Sequence, residues 1–356
     1  MKKLDFVFFD AGGGHRAAAT ALRLVIQQQQ RPWEVRLVNL QEVLDPLDIF
    51  RKCTRLRLQD VYNLLLRKGW TLGSAHLLRG MHFLIRLYHP KQVRLLCDYW
   101  RQSRPDLVVS LVPNFNRALA QSLRQTLPGV PFVTILTDLA DSPPHFWMER
   151  ESEYFVCGAD RAVRQARALG HAPERIFRTS GMILHPRFYQ PVAVGRAAER
   201  RRLGLEPDTP TGLVLFGGYG APVMLRIAQR LERARRDLQL ILICGHNEKL
   251  RQRLLRRTHR RPWFVEGFTT KVPYYMALSD FFIGKTGPGS VSEALAMQLP
   301  VIVPCNAWTM PQERHTAAWL RENHLGLVVP DFRHIAAAVD ELLDPSNLAR
   351  YRANAA

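Results

Sequence analysis

The stretch LDFVFFDAGGGHRAAATALRLVI, residues 4–26, reads as strand, turn and helix in immediate succession. Leu4–Phe9 is a short apolar run of strand length, and Gly12–Gly14 follow it with His15. Arg16–Gln29 then continues as an alanine-rich helix. Glycines suit such a turn because backbone can come close to a ligand there, while the helix start offers free N–H groups to an anion. GLVLFGGYGAPVMLRIAQRL, residues 212–231, repeats the pattern, with Gly217 and Gly218 in the turn.

Working outward, each unit opens an alternating series. Strands are expected at Trp33–Leu40, Asp106–Leu111, Pro131–Thr137 and Tyr154–Cys157 in the first. Gln239–Cys244, Trp263–Gly267, Asp280–Gly284, Pro300–Val303 and Gly326–Val329 follow in the second, with helices between most of them. Alternation of this kind builds a parallel sheet covered on both faces. A Pro-, Gly- and charge-containing stretch at Phe188–Pro210 marks the boundary. The expectation is α/β: two Rossmann-like domains, residues 1–187 and 188–356, facing across a cleft, with the last helix packing back on the first domain.

Composition bounds the function. The chain has 356 residues, 47% of them hydrophobic, which excludes a disordered or fibrous protein. No apolar run approaches the roughly 18 residues of a membrane-spanning helix. Asp5 and Asp10 interrupt the N-terminal apolar stretch, so it reads as a first strand and not a signal peptide. Five scattered cysteines form no CxxC pair, which points to a reduced, cytoplasmic setting.

The net charge is +19, from 50 Lys+Arg and 31 Asp+Glu, and asks for an anionic partner. Arg51–Arg104 alone carries twelve basic residues against two acidic ones, interleaved with Leu, Trp, Met and Phe. That mixture suits an anionic membrane surface, with core-packing helices bearing an arginine-rich outer face as the plainer reading. A second basic zone, from Arg187 to Arg261, is read as solvated helix surface. Nucleic acid is not expected as a partner, because zinc fingers, ribonucleoprotein strands and basic tails are all missing. Neither glycine turn completes GxGxxG, and no acid closes the second strand for an NAD ribose, so a nicotinamide enzyme is disfavoured.

The most specific segment is IGKTGPGSVSEALAMQL, residues 283–299. Lys285, Gly287 and Gly289 form a turn and Ser290 begins a helix, an arrangement that suits a diphosphate. Glu293, one turn in, either accepts two vicinal ribose hydroxyls or complements the helix dipole. Gln312 and Glu313 follow the next strand and offer donors and acceptors for sugar hydroxyls.

Taken in order, DAGGGHRAAATAL, TDLADSPPHFW (137–147), GMILHPRF (181–188), ICGHNEKL (243–250), VEGF (265–268), GPGSVSEAL and PQE (311–313) resemble a known family. It is the inverting nucleotide-sugar glycosyltransferases of GT-B fold, within them the monogalactosyldiacylglycerol synthases and processive diacylglycerol glucosyltransferases, relatives of the peptidoglycan lipid N-acetylglucosaminyltransferase. Pro311, where the family commonly has glycine, and Met182 and His185, where Pro and Arg are usual, depart from its pattern.

The resemblance implies that the C-terminal half binds a UDP-sugar. Gly217, Gly218, His246, Asn247, Lys285, Gly287, Gly289 and Ser290 would line the donor site. Phe268 would meet the uracil, Glu293 the ribose, and Gln312 and Glu313 the sugar. The N-terminal half would bind a lipid acceptor, diacylglycerol in this family, through Gly13, Gly14 and His145. His15 would accept the acceptor hydroxyl's proton, its alternative being a helix-start cap, and Asp138 is the second catalytic candidate, ahead of Asp10 and Asp141. No cofactor and no metal are expected, since no DxD motif occurs. The enzyme would sit peripherally on the inner face of the cell membrane. Transfer to another glycolipid or cell-wall precursor, or epimerisation of a UDP-sugar, is the alternative within the same fold.

Overall fold

Strand β1, Lys2–Phe8, sends apolar side chains to both of its faces. In the computed structural model, which describes residues 1–10, 13–47, 85–151, 153–234 and 237–356, Leu4, Phe6 and Phe8 pack with Ala18 and Ala19 of α1 (Gly14–Gln28). Val7 joins the opposite cluster with Val38, Trp100, Leu119 and Phe132. A strand buried on both faces belongs in a parallel sheet between helices. β1 pairs in parallel with β2 (Trp33–Asn39) and with β3 (Leu107–Ser110), Phe6 lying opposite Leu37 and Val109. Asp5, the one buried charge of this strand, faces Arg36 in register, with Arg36 Nε 2.6 Å from its carboxylate. Burial raises the Asp5 pKa and the Arg36 charge opposes that rise.

The first unit continues through α2 (Leu40–Leu44), α3 (His89–Ser103), α4 (Asn116–Thr126), β4 (Phe132–Ile135), β5 (Tyr154–Cys157), α5 (Asp160–Ala168) and β6 (Ile176–Arg178). Its strand order among the described residues is β2-β1-β3-β4-β5-β6, so the chain changes direction across the sheet between β1 and β3. β6 was not expected. Three residues long, at the sheet edge and largely exposed, it has no apolar run to announce it.

The second unit holds α6 (Arg196–Arg202), β7 (Thr211–Leu215), α7 (Val223–Ala234), β8 (Gln239–Ile243), α8 (Glu248–Leu255), β9 (Trp263–Glu266), α9 (Val272–Ala277) and β10 (Phe281–Gly284). Next come α10 (Pro288–Ala296), β11 (Val301–Pro304), α11 (Arg314–Glu322), β12 (Gly326–Val329), α12 (Ile335–Leu343) and α13 (Pro345–Ala355). The order is β12-β11-β10-β7-β8-β9, again parallel, and here the change of direction lies between β7 and β10.

The two compact units are Met1–His185 with Met310–His315, and Pro186–Thr309 with Thr316–Ala356. The last helix lies in the second unit, where Tyr351 enters the core and Arg352 bonds to Asp280. Gln312 and Glu313, expected in the C-terminal domain, lie in the short segment that groups with the first unit.

The basic segments also resolve. RAAERRR, read as solvated surface, instead builds a buried anchor in the second unit. Arg200 is 3% exposed and donates to the carbonyls of Leu278 and Pro207 and to Asp280, on which Arg196 and Arg352 also converge. Burial alone would lift the Asp280 carboxyl, but Arg196, the Thr211 amide and Arg200 outweigh it and hold it below its usual range. Of the Arg51–Arg104 segment, residues 51–84 lie outside the described residues. The part that is described follows the core-packing reading: α3 buries Val93, Leu96, Cys97 and Trp100 and leaves Lys91, Arg94 and Arg101 outside that face.

Candidate functional site

In open parallel sheets ligands collect at the carboxyl ends of the strands where the order reverses. In the first unit that is the end of β1 and β3, and the candidate residues gather there. Gly13 stands at the N-cap of α1 with φ +82°, a conformation that costs glycine little. A Cβ added at Gly13 or Gly14 would meet nothing within 4 Å, so this backbone is left open to a visitor. The helix start has no side-chain cap and no acid in its first turn, which leaves its N–H groups to a ligand. Asp10 is taken up at the rim by Arg16, 2.9 Å away.

His15 lies in the first turn of α1, with Nδ1 2.9 Å from the Thr137 hydroxyl just past β4. Its ring lies 5.8 Å from that of Trp147. Burial pulls its pKa down to about 4, partly offset by a hydrogen bond to the Leu111 backbone at the end of β3. The residue keeps part of its surface accessible. At neutral pH the imidazole is uncharged and able to take up a proton. The capping alternative fails, because Gly13 is the N-cap and the cap makes no side-chain hydrogen bond.

Asp138, next to Thr137, is buried and accepts the Trp147 indole N–H at 2.9 Å. Asp141 has a different duty. Its carboxylate accepts the backbone N–H groups of Trp147 at 2.6 Å and His145 at 2.9 Å, which closes the 141–147 loop. Burial raises its pKa against those amides. His145 is exposed on this loop at φ +63°, its Nδ1 3.3 Å from the Met148 carbonyl. Thus His15 and Asp138 both meet Trp147. Trp147 was not singled out in the sequence; its place at the end of the TDLADSPPHFW motif was the available signal.

In the second unit the turns after β7 and β10 flank the reversal point. Gly217 has φ +70°, and Gly218 approaches the next turn so closely that a Cβ on Gly245 would lie 2.2 Å from its carbonyl oxygen. The His246 amide donates to that same carbonyl at 2.8 Å. This contact sets an aromatic ladder at the ends of β7, β8 and β9. His246 stacks on Phe268 at 4.0 Å and 16°, Tyr219 stands 5.8 Å from His246, and Phe268 remains 58% exposed. Asn247 caps α8, its side chain accepting from Leu250 at 3.0 Å.

After β10, Lys285 and Gly287 lead into α10, whose N-terminus again lacks a side-chain cap and an acid in its first turn. Gly289 has open space where a Cβ would be, and Ser290 Oγ is within 3.5 Å of the Gly287 carbonyl. Glu293, one turn on, is only partly exposed, and burial raises its pKa to about 7 against the pull of the Arg187 charge. A carboxylate complementing a helix dipole would be stabilised in its charged form. At Glu293 burial works against the charged form. Gln312 reaches the Met310 sulfur at 3.6 Å, and Glu313 is buried beside it in the same short segment.

Residues 213–353 match the glycosyltransferase family 28 C-terminal domain. The match lies in the second unit and spans both of its glycine turns, the aromatic ladder and Glu293. Over 97% of the chain, the sequence is 27% identical to monogalactosyldiacylglycerol synthase 1 of Arabidopsis thaliana, of whose length it covers 66%, just under two thirds. Among solved structures, MurG of Acinetobacter baumannii superposes with a TM-score of 0.63 at 13% identity, over 100% of this chain and 94% of that one. MnaA of S. aureus, solved with UDP, gives 0.61 at 14%, over 100% and 91%. These likenesses establish the GT-B fold around the family 28 domain.

Proposed function

We propose that the protein moves a hexose from a UDP-sugar to a lipid hydroxyl, with diacylglycerol as the acceptor, by a single inverting displacement. The observation that carries this is the family 28 domain, joined in one chain to a first unit that presents a neutral imidazole beside a buried carboxylate. The likeness to a monogalactosyldiacylglycerol synthase along nearly the whole chain supports the lipid acceptor.

On this reading the donor occupies the family 28 domain. Uracil lies against Phe268, Glu293 accepts from the ribose, and the diphosphate meets the uncapped start of α10 together with Gly217, Gly218 and Lys285. Gln312 and Glu313 address the sugar hydroxyls. In the first unit, His15 takes the acceptor's proton as its oxygen attacks the anomeric carbon, and Asp138 orients the acceptor. The acceptor oxygen–carbon bond forms as the carbon–UDP bond breaks, and UDP leaves with the bonding pair. Helix N–H groups and Lys285 stabilise that charge, so no metal is proposed for the step.

A diacylglycerol acceptor stays in the bilayer, so the enzyme works peripherally at the cytosolic leaflet. No helix among the described residues is long and apolar enough to cross a membrane. Labelled UDP-glucose, UDP-galactose and UDP-N-acetylglucosamine, each incubated with the protein and total membrane lipid, test the reading. Label is expected in a lipid fraction from at least one hexose donor. Label confined to free sugar or to an isomerised nucleotide-sugar would overturn it.

A further inference from the structure

Asp138 and His15 are not set independently. Trp147, fully buried, donates its indole N–H to Asp138 and places its ring 5.8 Å from the His15 ring. The tryptophan is itself fixed through its main chain. Its amide donates to the Asp141 carboxylate at 2.6 Å, and its carbonyl accepts from the Asn116 side chain at 2.8 Å. Asn116 is held in turn by the Ser110 hydroxyl at the end of β3. Asp141 is clamped to α5 from both sides, Gln165 accepting from its amide at 2.9 Å and donating to its carbonyl at 2.8 Å. A second strap, the Asn114 amide to the Phe146 carbonyl at 2.6 Å, ties the same loop to the end of β3.

We propose that Trp147 is the positioning residue of the first-unit site, the side chain through which the 141–147 loop fixes the Asp138 carboxylate and the His15 ring together. This rests on the transfer reading above. Trp147 itself does not touch the reacting atoms. A loop pinned at β3, α4 and α5 ends in one indole, and that indole contacts both candidate groups. Such support matters because small displacements of reacting groups reduce rates by about a hundredfold.

The test replaces the N–H while keeping the ring. Trp147→Phe removes the donor and shrinks the side chain; benzothienylalanine at position 147 replaces the N–H by sulfur at nearly the same shape. With UDP-hexose donor and diacylglycerol in mixed micelles, each is expected to lower kcat by about 10–100-fold with the donor KM little changed. In an Asp138→Asn background the same replacement should cost little more, as neighbours in one network are not additive.

A benzothienylalanine enzyme with wild-type kcat would overturn the inference. So would losses that simply add to those of Asp138→Asn. If Trp147→Phe does not fold, the isosteric replacement decides alone. If Asp138→Asn and His15→Ala both keep wild-type turnover, the failure lies with the transfer reading. If they lose it while the indole replacement does not, the failure belongs to Trp147.

Discussion

Glu293 offers a quantitative handle on the donor site. Its carboxyl is raised from 4.5 to about 7, burial being the larger influence and the Arg187 charge opposing it. On the transfer reading, the ionised form is the one that accepts hydrogen bonds from both ribose hydroxyls. At pH 8 about nine tenths of the empty sites are then ready for UDP, and at pH 6 about one tenth. Apparent affinity divides by the competent fraction, so UDP should bind about tenfold more weakly at pH 6 than at pH 8, close to 1.4 kcal/mol. UDP has its own titrating phosphate. Glu293→Gln supplies the correction, because the ratio of wild-type to variant affinity cancels the ligand's contribution. Calorimetric titration of both proteins from pH 5.5 to 8.5 reads that ratio directly. It should climb with a midpoint near 7 and level off above it. A ratio that stays flat refutes the role given to Glu293.

The same shift predicts a stability difference. Between pH 4.5 and 7 the native chain holds a proton on Glu293 that the unfolded chain has released. The raised pKa therefore costs stability as pH rises through that window, by at most about 3 kcal/mol, and less given the partial exposure. Glu293→Gln should match wild type near pH 4.5 and be the more stable protein at pH 8, as read by urea unfolding. His15→Ala should lower turnover by about 10²–10⁴-fold with UDP affinity unchanged; near-normal turnover would remove it from the chemistry. Arg200→Met should destabilise the second unit by about 3–5 kcal/mol, because it breaks a buried, charge-paired cluster around Asp280. A thermal transition within a degree or two of wild type would contradict that. Gly245→Ala forces a Cβ against the Gly218 carbonyl at φ +58° and should cost about 1–3 kcal/mol and weaken UDP binding, measured by the same titration.

The doubly wound sheets were legible because burial on both faces leaves a plain mark: short apolar runs, each closed by a turn, as at Leu4–Phe9 and Gly212–Phe216. The glycine turns were legible for the same local reason, positive φ and close approach. Charge was not. Nothing in RAAERRR distinguishes Arg200, which is buried on Asp280, from its neighbour Arg201, which is exposed, since the difference is made by a strand some eighty residues away. Trp147 has no local mark of its own, because only the folded loop brings its N–H to Asp138. Asn247, expected at the donor, spends its side-chain oxygen on capping α8. Met310–His315 groups with the first unit through contacts that no local pattern encodes.

The most direct test of the account is the product itself. Incubation of the protein with an α-linked UDP-hexose and diacylglycerol vesicles, followed by mass spectrometry and proton NMR of the lipid fraction, reports both acceptor and anomer. A hexosyl diacylglycerol in the β configuration is expected, formed in step with UDP release. An α-linked product, or UDP release without any glycolipid, would contradict it.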